Sequence, residues 1–179
     1  MCECGQDHQV LLELTYNQLL RQTKSGETIK NSPSERNSNQ VQVQEVNLIP
    51  SVQNKTLTAR ARTRTADKHY DTIIQFSGVS YFNEGGHGRQ PFQGADGTEY
   101  FIDPIRPYKS KVKVRCGCLD FYFRFSVWDH RDDVLSGDAP ESYQRKTDTY
   151  PPVNPQKVSG LCKHIMGLTR FLKSERLIR

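Results

Sequence analysis

Alternating apolar and polar residues occupy the middle of the chain. Val41 and Val43 alternate with glutamines, and Val46 and Leu48 keep the two-residue period on the opposite parity, which predicts a strand with a bulge near Glu45. Residues 57–66, LTARARTRTA, alternate again, placing Ala59, Ala61 and Thr63 on one face and Arg60, Arg62 and Arg64 on the other. Tyr70 to Tyr81 reads as a further strand with Ile74 and Phe76 on one side and Gly78 as a kink. GTEYFIDPI and then Lys109 to Cys118 predict two more strands, whose succession suggests a hairpin. The pattern changes to helical spacing at Leu161, Ile165, Leu168 and Leu172, with Met166 and Phe171 flanking the stripe. Two other helices are expected. In the first, a strand or helical turn from Gln9 leads to Thr15 as N-cap ahead of Tyr16, Leu19 and Leu20, with a stop near Gly26. In the second, Asp120 caps a helix carrying Phe121, Tyr122, Phe125 and Trp128, although FYFRF would also suit a strand.

Elsewhere the periodicity lapses. Residues 28–40 are polar and predict a mobile loop; residues 83–98 predict a long Gly-rich loop that lacks the GK[ST] ending of a P-loop. Residues 129–158 end in the polyproline-like TYPPVNP, and Asp129-His130-Arg131-Asp132-Asp133 reads as solvated loop despite its acid and base types. The fold class expected is α+β: a small mixed or antiparallel sheet with a C-terminal helix and long loops. One domain spans residues 1–179, frayed over residues 1–8 and mainly strands over 41–118.

The candidate chemistry lies in Cys116-Gly117-Cys118 and Cys162-Lys163-His164. Three thiolates and one imidazole are the ligand types that tetrahedral zinc prefers. Alternation of Val112, Val114, Cys116 and Cys118 with Lys111, Lys113, Arg115 and Gly117 points both thiols to one face of a strand. Residues two apart on a helix lie about 200° apart around its axis. Cys162 is therefore expected in the turn before the C-terminal helix and His164 in its first turn, with Ser159 as N-cap. Closing the 43-residue excursion between Cys118 and Cys162 costs roughly 3 kcal/mol. A structural zinc is worth about 10 to 16 kcal/mol, so the metal outweighs the loop. The plain alternative is three buried cysteines beside an unrelated histidine, but CxC and CxH each at the edge of a regular element rarely coincide. A disulfide within CxC would close a strained ring and leave one thiol over. Four ligands close the shell where a catalytic zinc keeps a position open, and no nucleophile-base constellation stands elsewhere, so no enzyme is expected.

At these residues the chain resembles the SWIM-type zinc finger, whose pattern is CxC, a spacer and CxH in a strand-strand-helix setting. The resemblance implies that Cys116, Cys118, Cys162 and His164 bind zinc in a module over residues 116–179 with a long insertion. SWIM modules are associated variously with DNA and with protein binding. The wider run VRCGCLDFYFRFSVW, TYPPVNP and GLCKHIMGL is also similar to small uncharacterised structural proteins of large T4-like tailed bacteriophages. That likeness implies a virion component of the tail, baseplate or connector region.

Composition bears on partners more than on fold. The hydrophobic fraction is 35% with 12 Gly and 9 Pro, low for a compact enzyme and consistent with long loops or arms. The net charge of +5 permits contact with nucleic acid or an acidic protein surface. Arg60, Arg62 and Arg64 would recur about every 6.8 Å along a strand, and such a stripe could follow a phosphate backbone, pair with a neighbouring subunit, or be the solvated face of an edge strand. The C-terminal helix adds five basic residues against Glu175, part of which suits the helix dipole. Five cysteines suggest a reducing compartment. Cys2, Cys4 and His8 could offer a second metal three ligands, although a frayed terminus is the simpler reading. Glu3 and Asp7 stand where a secretory signal would be basic, and no apolar run reaches the length of a membrane span. These readings converge on a non-enzymatic assembly protein present in several copies, located in a virion assembled in host cytoplasm or otherwise cytoplasmic. Its partners would be other virion or assembly proteins, with weak nucleic-acid contact and no membrane. A SWIM-type nucleic-acid-binding protein is the alternative.

Overall fold

Helix and strand starts follow the side chains that can satisfy their free backbone groups. In the computed structural model, which describes residues 14–25, 35–141 and 152–179, α1 covers Tyr16–Ser25 and opens with a reciprocal cap. Thr15 Oγ1 accepts the Gln18 N–H at 3.3 Å, and Gln18 Oε1 accepts the Thr15 N–H at 2.8 Å. The expected Thr15 cap is present; the segment expected from Gln9 to Glu13 lies outside the described residues. So do residues 1–13 with Cys2, Cys4 and His8, residues 26–34 of the polar loop, and residues 142–151. The described end of that polar loop forms a short helix, α2 (Glu35–Ser38).

Three ten-residue strands, β1 (Gln42–Ser51), β2 (Thr56–Thr65) and β3 (Lys68–Ser77), form an antiparallel meander. The bulge falls where the parity changes: the register shifts between Gln44 and Asn47, and Glu45 has φ +48°. Gly78 follows β3 at φ +74°, the left-handed conformation that a glycine adopts without strain. β4 (Tyr81–Phe82), β5 (Gln90–Gln93) and β6 (Glu99–Ile102) then form a second small sheet in the order β4-β6-β5. β7 (Val112–Cys116) returns to the first sheet and completes the order β1-β2-β3-β7.

The structure departs from three sequence expectations. β6 and β7 do not form a hairpin: Pro104 and Pro107 lie in their connection, and β7 instead sets Val112 and Val114 opposite Phe76 and Ile74 of β3. The Gly-rich stretch is not wholly loop, because Phe92 of β5 is buried and stacks on Tyr100 of β6 at 5.6 Å. β2 is an interior strand rather than an edge, so its arginines form the outer face of a sheet.

The aromatic run after Cys118 is helical, as its spacing predicts, but is divided into α3 (Leu119–Arg124) and α4 (Ser126–Arg131). α5 (Lys163–Ser174) is the predicted C-terminal helix and lies across the inner face of the first sheet. Ile165, Leu168 and Leu172 are buried there with Leu57, Ala59, Ile74 and Val114. Gly167 permits the close approach, since a Cβ there would lie 2.7 Å from Val41 Cβ. The architecture is therefore α+β, with antiparallel sheets and a C-terminal helix, as expected. No helix among the described residues is long and apolar enough to cross a membrane.

Candidate metal centre

The four predicted ligands meet at the junction of β7, α3 and α5. Cys116 ends β7 opposite Thr72 of β3, and the Gly117 N–H donates to Asp71 O at 3.0 Å. Cys118 has left the strand and N-caps α3: its backbone is extended (φ −78°, ψ 147°) and its Sγ accepts the Phe121 N–H at 3.3 Å. The thiol thus takes the place expected for Asp120, which stands inside the first turn. Cys162 occupies the N-cap position of α5 at φ −80°, ψ 165°, without a side-chain cap bond, in the turn predicted for it, and His164 lies in the first helical turn. Ser159 is not the cap. It sits three residues upstream, buried, with its hydroxyl 2.6 Å from Asp132 Oδ2 and 2.9 Å from Trp128 O.

The approach to Cys162 is held by side chains from two distant elements. Asp129 Oδ1 accepts the Gly160 N–H at 2.8 Å, and Thr23 Oγ1 of α1 accepts the Leu161 N–H at 2.8 Å while donating to Leu19 O. The excursion is also tied earlier. Asn154 Nδ2 donates to Arg124 O at 2.9 Å and to Val158 O at 2.7 Å, and Arg124 Nη1 donates to Val153 O at 2.9 Å. Gly160 is required by space, because a Cβ would lie 2.7 Å from Thr23 Oγ1 and overlap the Phe125 ring. These contacts overturn the solvated-loop reading of 129–133: Asp129 is fully buried, and its main-chain carbonyl accepts the N–H groups of Val134 and Leu135. Asp129 is a positioning residue that pattern reading misses, since an acid at the head of the polar run Asp129-His130-Arg131-Asp132-Asp133 carries the signature of solvent exposure.

All four candidate ligand atoms lie within 4.8 Å of one another, and every one of the four residues is buried. A tetrahedron with zinc-like bonds has ligand–ligand edges of about 3.6 to 3.8 Å. Cys162 Sγ and His164 Nδ1, at 4.0 Å, are close to that spacing already. The imidazole is oriented from behind. Its Nε2 is 3.0 Å from Thr65 Oγ1, and the Tyr70 ring lies against it with centroids 4.5 Å apart. With the Nε2 proton directed to Thr65, the Nδ1 lone pair faces the thiols. Thr72 Oγ1 lies 3.6 Å from Cys116 Sγ and 2.8 Å from Thr63 Oγ1. Inward-facing threonines among the alanines of β2 are the sequence signal for this supporting layer.

The protonation state follows from crowding three thiols together. Hydrogen bonds from Cys116 and Cys162 hold the Cys118 thiol far below its usual range. Cys116, donating to Cys118, is pushed up to about 12. Complete burial pushes Cys162 well up, and the neighbouring thiols add to it. Without a cation, burial and mutual repulsion oppose ionising all three thiols; a divalent ion would favour three thiolates and offset two of their three negative charges. The four residues are therefore a buried Cys3His cluster suited to a metal ion.

Arg60, Arg62 and Arg64 lie elsewhere, on the outer face of β2, with the alternation predicted: Ala59, Ala61 and Thr63 are buried and Arg60 and Arg62 exposed. Arg64 Nε donates to Ala66 O at 2.8 Å. The same face carries Lys113, paired with Asp133 at 2.8 Å, and Arg115, bonded to the carbonyls of Ser136 and Asp138. No family model, no curated protein and no solved structure matches the chain.

Proposed function

We propose that this protein is a non-enzymatic, zinc-stabilised structural protein that acts through protein–protein contacts as a tailed-phage virion component of the tail, baseplate or connector region. The buried Cys3His cluster carries the structural half of this reading. Four soft ligands fill a tetrahedral shell, which leaves no position for substrate, and their burial separates the ion from solvent. Zinc suits them because it is redox-silent and imposes no geometry of its own. The virion half rests on the sequence resemblance around the two ligand pairs. Several copies would place the exposed sheet face, with Arg60 and Arg62, against acidic neighbours.

The second reading, a SWIM-type nucleic-acid-binding protein, draws on that same basic face. Two measurements separate the possibilities. Metal analysis of the purified protein is expected to give about one zinc per chain, lost together with thermal stability in Cys162→Ser. A metal-free wild type, or a variant that keeps zinc and its melting temperature, overturns the structural zinc. Mass-spectrometric inventory of purified virions from the source is expected to contain this chain at a constant multiple-copy ratio, and its absence overturns the virion assignment.

A further inference from the structure

At the other end of the first sheet from the metal cluster, three connections surround a cleft of about 430 Å³. Gly78 lies six residues beyond Thr72, the strand partner of Cys116, a separation of about 20 Å along an extended chain. One wall is the exit from β3 at Gly78 to Ser80. A second is His87-Gly88, at the tip between β4 and β5, and a third is the connection from Asp103 to Ser110. Arg179 completes the rim.

The backbone holds these pieces in fixed relation. The Ile105 N–H donates to Leu177 O at 2.8 Å and the Arg179 N–H to Ile105 O at 2.9 Å, which sets Arg106 and Arg179 on adjoining chain segments. The N–H groups of Lys109 and Ser110 both donate to Arg106 O at 2.9 Å, so the turn brings Lys109 back to the same mouth. The Val79 N–H is bonded to Lys55 O at 2.9 Å. Gly78 and Gly88 have φ +74° and +80°, and a Cβ on either would meet nothing within 4 Å.

The charge of the lining is one-sided. Arg106, Lys109 and Arg179 contribute three cations against one carboxylate side chain, Asp103, and no ion pair joins any of these cations to another described residue. Counting an α-carboxylate at residue 179 would still leave the cations ahead. Gathering like charges on pinned loops costs free energy in the absence of a counter-charge. Folding does not need it, because Ile105 and Val79 supply the apolar anchors of these segments. Two guanidinium groups and an ammonium, with Ser80 and Ser110 also in the lining, suit an oxyanion. The volume is in the range of small-molecule sites and exceeds what one isolated phosphate would fill.

We propose that this cleft binds a small phosphorylated molecule, with its phosphate groups held by Arg106, Lys109 and Arg179. Isothermal titration of the full chain with inorganic pyrophosphate and with adenosine diphosphate, near physiological salt at about 150 mM, tests this. Saturable one-to-one binding is expected with at least one of them. Arg106→Gln/Lys109→Gln should weaken it by about tenfold or more, while Arg60→Gln/Arg62→Gln on the outer sheet face should leave it unchanged. No saturation by about 10 mM, equal weakening by the sheet-face pair, or full binding in the cleft variant overturns the assignment. Amide-shift mapping on the wild type keeps the test decisive if the cleft variant does not fold. Shifts should fall on residues 78–80, 87–88 and 103–110, and shifts confined to other segments overturn it. Binding seen only with an oligonucleotide overturns the small-ligand assignment.

Discussion

Asp129 offers a test of how the approach to the metal cluster is held. Its side chain is fully buried, Oδ1 accepts the Gly160 N–H at 2.8 Å, and Oδ2 has no hydrogen-bond partner among the described residues. Burial pushes its carboxyl well above the usual range; the Gly160 N–H opposes that rise and the nearby Asp132 charge adds to it. The folded chain thus binds a proton that the unfolded chain has already lost. Stability from this group is fully present below the unfolded carboxylate value and falls as pH rises towards the folded one, by about 1.4 kcal/mol per pH unit inside that window. Asp129→Asn keeps a carbonyl for Gly160 and carries no charge, so it removes this slope. Metal affinity also changes with pH, but both proteins share that change. The quantity to measure is the difference in urea unfolding free energy between Asp129→Asn and wild type at several pH values from 5 to 8. The variant should gain on the wild type as pH rises. Parallel profiles would refute the buried, protonated carboxyl. Asp129→Ala, which also lacks the carboxyl but strands the Gly160 N–H, should lie about 1 to 3 kcal/mol below Asp129→Asn at every pH.

Zinc loading should release protons at neutral pH, because Cys116 and Cys162 are pushed up as thiols; calorimetry in buffers of different ionisation enthalpy counts them, and a count near zero contradicts the thiol states described. Thr65→Val removes the oxygen behind His164 Nε2 and should weaken zinc binding by about 10 to 100-fold in a chelator competition, with unchanged stoichiometry. Gly160→Ala forces a Cβ against Thr23 and Phe125 and should cost about 1 to 3 kcal/mol in chemical unfolding; a silent variant would mean that this approach tolerates displacement. Three arginines on β2 neutralise too few phosphates for tight binding, so DNA affinity near 150 mM salt should be about 10 to 100 µM or weaker. Sub-micromolar affinity lost in Arg60→Ala/Arg62→Ala would favour the nucleic-acid reading.

Legibility followed the range over which each signal acts. The bulge at Glu45, the buried face of β2 and the cap at Thr15 are set by residues within a few positions of one another, and the sequence displays them directly. The four candidate ligands are legible for a different reason. Cysteine and histidine announce their chemistry by type, and the flanking periods place them at element ends. Pairing choices were not legible, since β6 and β7 look like neighbours until the prolines between them and the Ile74 and Phe76 face of β3 are weighed together. Nor was the division of 119–131 into two helices, because Phe121, Phe125 and Trp128 keep one continuous spacing across the break. Asp129 and Ser159 escape pattern reading: a buried acid that accepts one long-range backbone N–H looks in sequence like any solvated acid, and a serine bonded to Trp128 and Asp132 looks like a helix cap.

The same distinction explains why the excursion between Cys118 and Cys162 can be long without loosening the cluster. A chain of that length closed only by metal would lose its entropy at the metal's expense. Here the return is shared among separate supports: Arg124 and Asn154 fix residues 153–158, Asp129 fixes Gly160, and Thr23 fixes Leu161. Cys162 therefore reaches the cluster on a backbone already positioned from two sides, and β7 presents Cys116 from an interstrand ladder with β3. A metal arriving at such a site spends less of its binding energy on ordering the chain, so more appears as affinity. The consequence is that disrupting Thr23 or Asp129, neither of them a ligand, should lower metal affinity as well as stability, while the outward arginines of β2 should affect neither.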